Sequence, residues 1–242
     1  MRRLNWKRRV YATVKRGLER SRLERWVGMY CCELLISREL GLKCSGWDED
    51  GLWLGEVGPA QLPWLAELQP ARVREFAARW RQGHRCFGAG LRFGSSGQGR
   101  CAAYSWIASG PTEITATTGA RWVIPPAAAW AYDSWSNPLA LGTHPDLVRY
   151  VWRQLSSEGM AAVLGQIECT NRASLRLHER IGNRVLGCMF SVRMGAHSLH
   201  VLRSGLGWQL GRSAMAVPLQ ALMQQPAPLA AARAATVAGA AD

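Results

Sequence analysis

Residues 161–187 combine an apolar run, an amphipathic helix and a second strand within one short segment. The run AAVLGQIEC (161–169) has the length and composition of a buried strand. Asn171 can cap a helix that begins at the next residue, and RASLRLHERI (172–181) repeats its apolar residues at helical spacing. RVLGCMFSVRMG (184–195) then predicts another strand. A strand, helix and strand in direct succession favour a layered fold in which helices cover a sheet.

The rest of the chain continues this alternation. A turn-rich stretch, CSGWDEDGLW, separates the first strand from the first internal helix. The pattern predicts strands at 30–40 and 127–135, helices at 70–83 and 145–158, and two hairpins, 86–93 with 100–109 and 184–195 with 197–204. The element order predicts an α/β class with mixed strand pairing and no internal repeat.

The charge of the chain is strongly positive. The formal net charge is +13 and the isoelectric point is about 10.2, and almost all of the positive residues are arginines. Residues 1–28 predict a basic amphipathic helix, since Val10, Val14 and Leu18 share one face. Such a helix either packs its apolar stripe on the main domain or contacts an acidic protein, an anionic membrane surface or nucleic acid. No recognised nucleic-acid motif accompanies the charge.

The cysteines and histidines give no sign of a metal site. The seven cysteines contain no C-x-x-C pair, and no ligand spacing links them to the five histidines. We therefore expect no metal, and thiols that stay reduced in the cytoplasm. The N-terminal segment lacks the apolar core of a secretory signal, and no run approaches the roughly 20 residues that span a bilayer. These patterns predict a cytoplasmic protein.

Over roughly residues 30–204, the order of elements and the motif N-x-x-S-x-x-x-H-E-x-x-G resemble the GNAT superfamily of N-acyltransferases. The motif is formed by Asn171, Ser174, His178, Glu179 and Gly182, between an apolar strand and a strand that contains Gly187. The segment GHRCFGAGLRF…CAAYSWI is similar to the second and third strands of that family. The resemblance implies a mixed, mostly antiparallel central sheet with splayed fourth and fifth strands and helices on both faces.

The same resemblance implies transfer of an acyl group from a pantetheine thioester to a primary amine. In the family the donor's pantetheine arm adds to the sheet like an extra strand where the two strands splay. A backbone N–H within Tyr132–Trp135 is expected to stabilise the developing oxyanion. Tyr132, Ser134 and Trp135 are therefore expected to contact the donor. Asn171 and Ser174 either hold the pantetheine arm or cap the following helix.

The expected pyrophosphate loop departs from the family pattern. Gly142, Thr143 and His144 occupy its second half, but His144 stands in place of a small residue and Leu139 in place of a polar one. The co-substrate is therefore either an acyl-CoA or the thioester of an acyl carrier protein. Carrier proteins are generally acidic, and the basic helix over residues 1–28 would suit their surface.

Three residues are candidates for proton transfer. Asp133 and then Glu168 are expected to deprotonate the amine, because each lies on a strand beside the expected thioester. Asp133 can instead be a structural hydrogen-bonding residue at the end of the strand, and a bound water can serve as the base. His178 replaces the tyrosine that family members often use to protonate the departing thiolate, and it can instead be a packed side chain. Trp106, Trp130 and Trp135 either line an acceptor pocket or belong to the core.

The sequence predicts three segments. These are the basic helix at 1–28, an acyltransferase domain at 29–205 and a mobile Ala/Pro-rich tail at 206–242. Two other functions remain open: a GNAT fold without catalytic activity, and a basic module that binds nucleic acid or an anionic surface.

Overall fold

The computed structural model describes residues 5–20, 27–37, 52–92, 99–115, 119–137 and 143–224. The helices are α1 (Asn5–Arg20), α2 (Leu62–Leu68), α3 (Val73–Arg81), α4 (Thr143–Ser157), α5 (Arg172–Arg180) and α6 (Leu219–Met223). The strands are β1 (Val27–Ser37), β2 (Leu52–Val57), β3 (Arg85–Arg92), β4 (Gly99–Ser109), β5 (Thr112–Thr115), β6 (Arg121–Ile124), β7 (Ala128–Ser136), β8 (Ala162–Glu168), β9 (Arg184–Met194), β10 (His197–Ser204), β11 (Gly207–Arg212) and β12 (Ala216–Val217).

The chain divides into two compact units. The central unit contains residues 37–112 and 126–165, and the terminal unit contains residues 1–36, 113–125 and 166–242. Strand β8 begins in the central unit and ends in the terminal unit. Within the described helices, none combines the length and the apolar composition needed to cross a bilayer.

The central unit is a sheet with helices on both faces. Strands β2, β3, β4 and β7 pair antiparallel in that order, and β7 pairs parallel with the first half of β8. Successive side chains of a strand point to opposite faces. Cys86 accordingly packs with Phe76 of α3, whereas Phe87 contacts the ring of Tyr150 on α4. The mixed, mostly antiparallel fold class predicted from the sequence is confirmed.

The terminal unit is built on antiparallel strands. Strand β1 pairs with β9, β9 with β10, and β10 with β11. Helix α1 packs on this sheet through Tyr11, whose ring meets that of Phe190 edge to face and whose hydroxyl oxygen lies 3.3 Å from the carbonyl oxygen of Met29. A second, smaller sheet contains β5, β6 and β12.

The described part of the C-terminal region differs from the predicted tail. Residues 207–212 form β11, which adds to the sheet through β10, and α6 buries Leu219 and Leu222. The alternating pattern of GWQLGR is short, and the Ala/Pro-rich composition beyond it hides the signal for these elements. Residues 225–242 lie outside the described residues.

Two glycines provide a matched test of the terminal unit. A Cβ at Gly187 would lie 2.6 Å from the backbone oxygen of Arg203 on β10, whereas a Cβ at Gly17 in α1 meets nothing within 4 Å. Gly187→Ala should therefore lower the free energy of unfolding by about 1–3 kcal/mol, because the neighbouring backbone must shift. Gly17→Ala should raise it by roughly 0.5–1 kcal/mol. Denaturant melts of the two variants would contradict this packing if both shifted in the same direction.

Candidate active site

The parallel ladder between β7 and β8 is short. It pairs Ala128–Ala131 with Ala162–Gly165 and ends there. A Cβ at Gly165 would lie 3.2 Å from the carbonyl oxygen of Ala131, so the absent side chain permits the close approach at the last pair. Beyond that pair, Tyr132–Ser136 continue β7, and Tyr132, Trp135 and Ser136 pair with β4. Within the described central unit, no strand covers the opposite backbone edge of these residues.

Strand β7 carries a bulge directly after the ladder ends. Tyr132 pairs with Trp106 of β4 and Trp135 pairs with Tyr104, so two residues of β7 face the single residue Ser105. Asp133 has a φ of 49° at this point, in the left-handed region that aspartate tolerates better than most residues. A bulge leaves its extra residue out of the ladder and bends the strand. Backbone groups at 133–134 are therefore free of regular pairing.

Two guanidinium groups hold the side chain of the bulge residue. Arg72 Nη1 donates to Asp133 Oδ1 over 2.5 Å, and Arg79 donates to Oδ2. Glu75 completes the cluster, because it accepts from both arginines. The contact with Arg72, helped by Arg79 and opposed by burial, lowers the pKa of Glu75. The four charges sum to zero, and both oxygens of Asp133 are occupied by donors.

Arg79 is the buried member of this cluster. It projects from α3, is only 8% exposed, and lies 4.9 Å from the ring centroid of Tyr132 and 5.2 Å from that of Trp106. A guanidinium stacks on aromatic faces while its N–H groups bond a carboxylate in plane. Arg79 thus joins the helix to β7 at the bulge.

The C-terminus of α3 positions His84 against the same strand. Gly83 has a φ of 80°, its N–H donates to the carbonyl of Trp80, and the N–H of His84 donates to that of Arg79. This pair of hydrogen bonds is a Schellman motif. It places His84 Nδ1 2.5 Å from the hydroxyl of Tyr132.

The ionisation of this pair follows from its burial. Burial, and after it the charge of Arg79, lowers the pKa of His84, so the imidazole is neutral at pH 7. Burial is also the largest cause of the raised pKa of Tyr132, which keeps the phenol protonated. A neutral imidazole next to a phenol can accept one proton and pass another.

The start of α4 is the described part of the expected pyrophosphate loop. Gly142 lies outside the described residues, Thr143 is buried, and burial lowers the pKa of His144. The Nε2 atom of His144 is buried and has no hydrogen-bond partner among the described residues. Asp146 in the same turn is 3.3 Å from Arg149 Nη1, and burial raises the pKa of its carboxyl. This helix end therefore offers a neutral imidazole and a carboxylate that is paired with Arg149.

In the terminal unit, Glu168 is committed to contacts from α1. Its Oε1 accepts from Lys15 Nζ over 2.6 Å and from the Tyr11 hydroxyl over 3.1 Å. Burial raises the pKa of Glu168, but the bonds from Lys15, Thr170 and Tyr11 outweigh it and the net pKa is lowered. A carboxylate with a lowered pKa is a weaker base. Lys15, one of the positive residues of α1, is therefore paired with a carboxylate of the same unit.

The other expected site residues of the terminal unit lie at the two ends of α5. Asn171 Oδ1 accepts from the N–H of Ser174 over 3.1 Å, so Asn171 is the N-cap of the helix, one of the two roles that its sequence position predicts. Near the other end, His178 Nδ1 is 2.6 Å from Asn183 Nδ2. A donor-contacting role for Asn171 and Ser174 and a proton-donor role for His178 stay predictions.

The structure groups the expected residues into two sets. Tyr132, Asp133, Ser134 and Trp135 lie together on β7, and Ser134 Oγ is 2.7 Å from Ser105 Oγ. Glu168, Asn171, Ser174 and His178 belong to the terminal unit. Trp106 and Trp130 are fully buried and belong to the core, the second of the two roles considered for them.

Sequence reasoning missed Arg72, Arg79 and His84. One signal for Arg79 was available: it lies three residues after Phe76 and shares the apolar face of α3, where a charged residue requires a partner. Nothing in the local sequence links either arginine to β7. His84 gave no signal, because only the helix-ending geometry brings it to Tyr132.

No family model matches the chain, and no curated protein does. Solved structures are similar to it. A GNAT-family protein from Novosphingobium aromaticivorans is 18% identical, with a TM-score of 0.48 over 69% of this chain and 65% of its own. A fungal glucosamine N-acetyltransferase region scores 0.49 at 13% identity, over 72% of this chain and 22% of its own. The ribosomal-protein-S18-alanine N-acetyltransferase of Escherichia coli has a TM-score of 0.41 at 13% identity, over 69% of this chain and 97% of its own.

These similarities concern the fold. The chain spans less than two thirds of the length of the first two of these proteins. The mixed sheet with its short parallel ladder agrees with the fold class that the sequence predicts.

The ion cluster at the bulge can be tested by removing its buried cation. Arg79→Met leaves Asp133 with Arg72 alone. The substitution should lower the free energy of unfolding by about 3 kcal/mol, because the partly buried carboxylate of Asp133 loses one of its two cationic partners. Arg81→Met changes an exposed arginine of the same helix and should stay within about 0.5 kcal/mol of the parent. Equal effects in denaturant melts would show that the Arg79 contacts add nothing.

The contact between Lys15 and Glu168 predicts a pH-dependent stability. The folded pKa of Glu168 is lowered, so its contribution is complete above the unfolded value of about 4.3 and is lost as the pH falls through the folded pKa. Lys15→Met should cost about 0.2–1 kcal/mol at pH 7, because the pair is partly exposed. The cost should disappear at acid pH, and Arg16→Met should show no such pH dependence. A cost of Lys15→Met that is independent of pH would contradict the pairing.

Proposed function

We propose that the protein is a GNAT-type N-acyltransferase that moves an acyl group from a pantetheine thioester to a primary amine. The observation that carries this proposal is the end of the parallel ladder at Ala131 and Gly165. Strand β7 continues for five residues that include the bulge, and no described strand of the central unit covers their outer edge. An extended pantetheine arm has amide groups that can pair with such an edge as an added strand does.

The bulge supports the position of the reacting carbonyl. A thioester carbonyl beside Asp133 and Ser134 would face backbone groups that are outside the β4 ladder. An N–H in that place stabilises the oxyanion of the tetrahedral intermediate without having to reorganise. The amine nitrogen then bonds to the carbonyl carbon, the C–S bond breaks, and the thiolate takes up a proton.

The proton acceptor that we favour is His84. Deprotonation of a primary amine with a pKa near 10.4 costs roughly 4–5 kcal/mol at pH 7, so the reaction needs a base near the amine. His84 is neutral and contacts Tyr132 on the open part of β7. Asp133 and Glu168, the bases expected from the sequence, are both held by cationic side chains. Their role in this proposal is to hold β7 and the end of β8.

The donor that we propose is acyl-CoA, with an acyl carrier protein as the alternative. A phosphate at the start of α4 would meet the positive end of the helix dipole and the unpartnered Nε2 of His144. Both donors present the same pantetheine arm, so an assay that supplies each of them distinguishes the two.

The test of this function is release of free thiol. The protein should release thiol from acetyl-CoA, a longer acyl-CoA or acyl carrier protein only when a primary amine is present, and mass spectrometry should show the amide. His84→Gln should lower kcat by roughly 10²–10⁴-fold, the usual contribution of a general base. His197→Gln, which changes an exposed histidine of β10, should leave kcat unchanged.

Two results would contradict the proposal. The absence of amine-dependent thiol release with every donor would favour a fold without catalytic activity, and salt-sensitive binding of DNA or anionic vesicles in the same preparation would favour the basic module. Equal kcat in the two histidine variants, with the transferase activity intact, would reject His84 as the base and leave the function standing.

A further inference from the structure

Three cysteine sulfurs converge in the terminal unit. Cys31 lies on β1, Cys169 directly follows β8, and Cys188 lies on β9. The Sγ atoms are 2.9 Å apart for Cys31 and Cys169, 3.6 Å for Cys31 and Cys188, and 4.0 Å for Cys169 and Cys188. Of the described residues, these three form the one cluster of metal-binding side chains with all ligand atoms within 4.8 Å.

Backbone pairing fixes this arrangement. The ladder between β1 and β9 aligns Cys31 with Phe190 and Glu33 with Cys188, so Cys31 and Cys188 are two positions apart on neighbouring strands and share a face. The N–H of Cys169 donates to the carbonyl of Cys31 over 2.9 Å, which holds the third residue beside the first. The three side chains therefore start from rigid elements and not from loops.

The spacing of the sulfurs is close to that of a metal–thiolate site. Zinc binds thiolate sulfur at about 2.3 Å, which for tetrahedral geometry separates two sulfurs by about 3.8 Å. Two of the three separations, 3.6 and 4.0 Å, agree with this value. The third pair, Cys31 and Cys169, would have to move apart by about 0.9 Å from its 2.9 Å separation when the ion binds.

We propose that Cys31, Cys169 and Cys188 form a three-thiolate site for a thiophilic closed-shell metal ion, of which Zn²⁺ and Cu⁺ are the examples. Soft thiolates select these ions over the hard cations that prefer oxygen. Binding forms three metal–sulfur bonds, and the three thiol protons leave to solvent with no change of oxidation state. Cu⁺ is satisfied by a trigonal set, and Zn²⁺ takes a fourth donor from outside the protein.

The exposure of the three residues suits this role. Cys169 is only 2% exposed, whereas Cys31 and Cys188 are half-buried, so an ion can reach the sulfurs while the site stays largely shielded. The bound ion would join β1, β9 and the segment that follows β8. Its first effect is therefore on the stability of the terminal unit, and the proposal does not depend on acyl transfer.

The experiment titrates Zn²⁺ into protein that has been reduced and freed of metal with a chelator. A chromophoric zinc indicator should report one ion per chain, and the melting temperature should rise with zinc. Cys31→Ser and Cys188→Ser should each weaken binding at least tenfold and remove the zinc-dependent rise. Cys101→Ser changes a buried cysteine of the central unit and should bind zinc as the parent does. Co²⁺ should give thiolate charge-transfer absorption in the parent and in Cys101→Ser alone.

Two results would overturn the site. One is zinc binding of equal strength in the parent and in a folded Cys31→Ala/Cys188→Ala double variant, whose folding is checked by its melt without metal. The other is the absence of stoichiometric binding of either Zn²⁺ or Cu⁺ to the reduced parent protein, which would leave three packed thiols only.

Discussion

The site depends on a strand pair that stops early. Strands β7 and β8 share four parallel pairs, and the last pair closes where Gly165 meets the backbone of Ala131. From the next residue onward, β7 is held from its β4 side and from α3. A strand edge that no neighbour covers is usually a liability. In the proposed function, the edge of β7 that no described strand of the central unit covers is where an extended ligand pairs, provided that β7 keeps its shape beyond the ladder.

The ion cluster supplies that support. Asp133 has a positive φ, and its carboxylate is held by Arg72 and Arg79. The ion pairs with these two arginines therefore fix the bulge through the side chain of Asp133. A buried pair of this kind contributes little net stability compared with an apolar substitute, but it strongly penalises other conformations. The sequence pattern made Asp133 the first candidate base. The contacts indicate instead a structural role at the bulge, and in the proposed function the neutral His84 takes the place of the base.

Much of the fold could be predicted because its signals are local. Helices at 70–83 and 172–181 and the hairpin of 86–93 with 100–109 correspond to α3, α5 and the β3–β4 pair within a few residues. Strand β2 could not be predicted because turn-forming residues precede Trp53. Strand β11 could not be predicted because its alternating pattern is short and flanked by glycines. The site was less predictable, since its contacts join residues 54 and 61 positions apart, and the three cysteines come from segments up to 157 residues apart. Contacts between residues so far apart in sequence cannot be predicted from residue spacing.

Hydrogen exchange of the β7 amides, measured by mass spectrometry with and without saturating CoA, tests the central claim most directly. If the pantetheine arm pairs with the open edge, peptides that cover Tyr132–Ser136 should exchange more slowly with CoA, while peptides from β10 should not change. Pantetheine without the nucleotide should protect the same residues at higher concentration. Binding of CoA that leaves exchange at Tyr132–Ser136 unaltered would contradict the account, because the donor would then lie elsewhere.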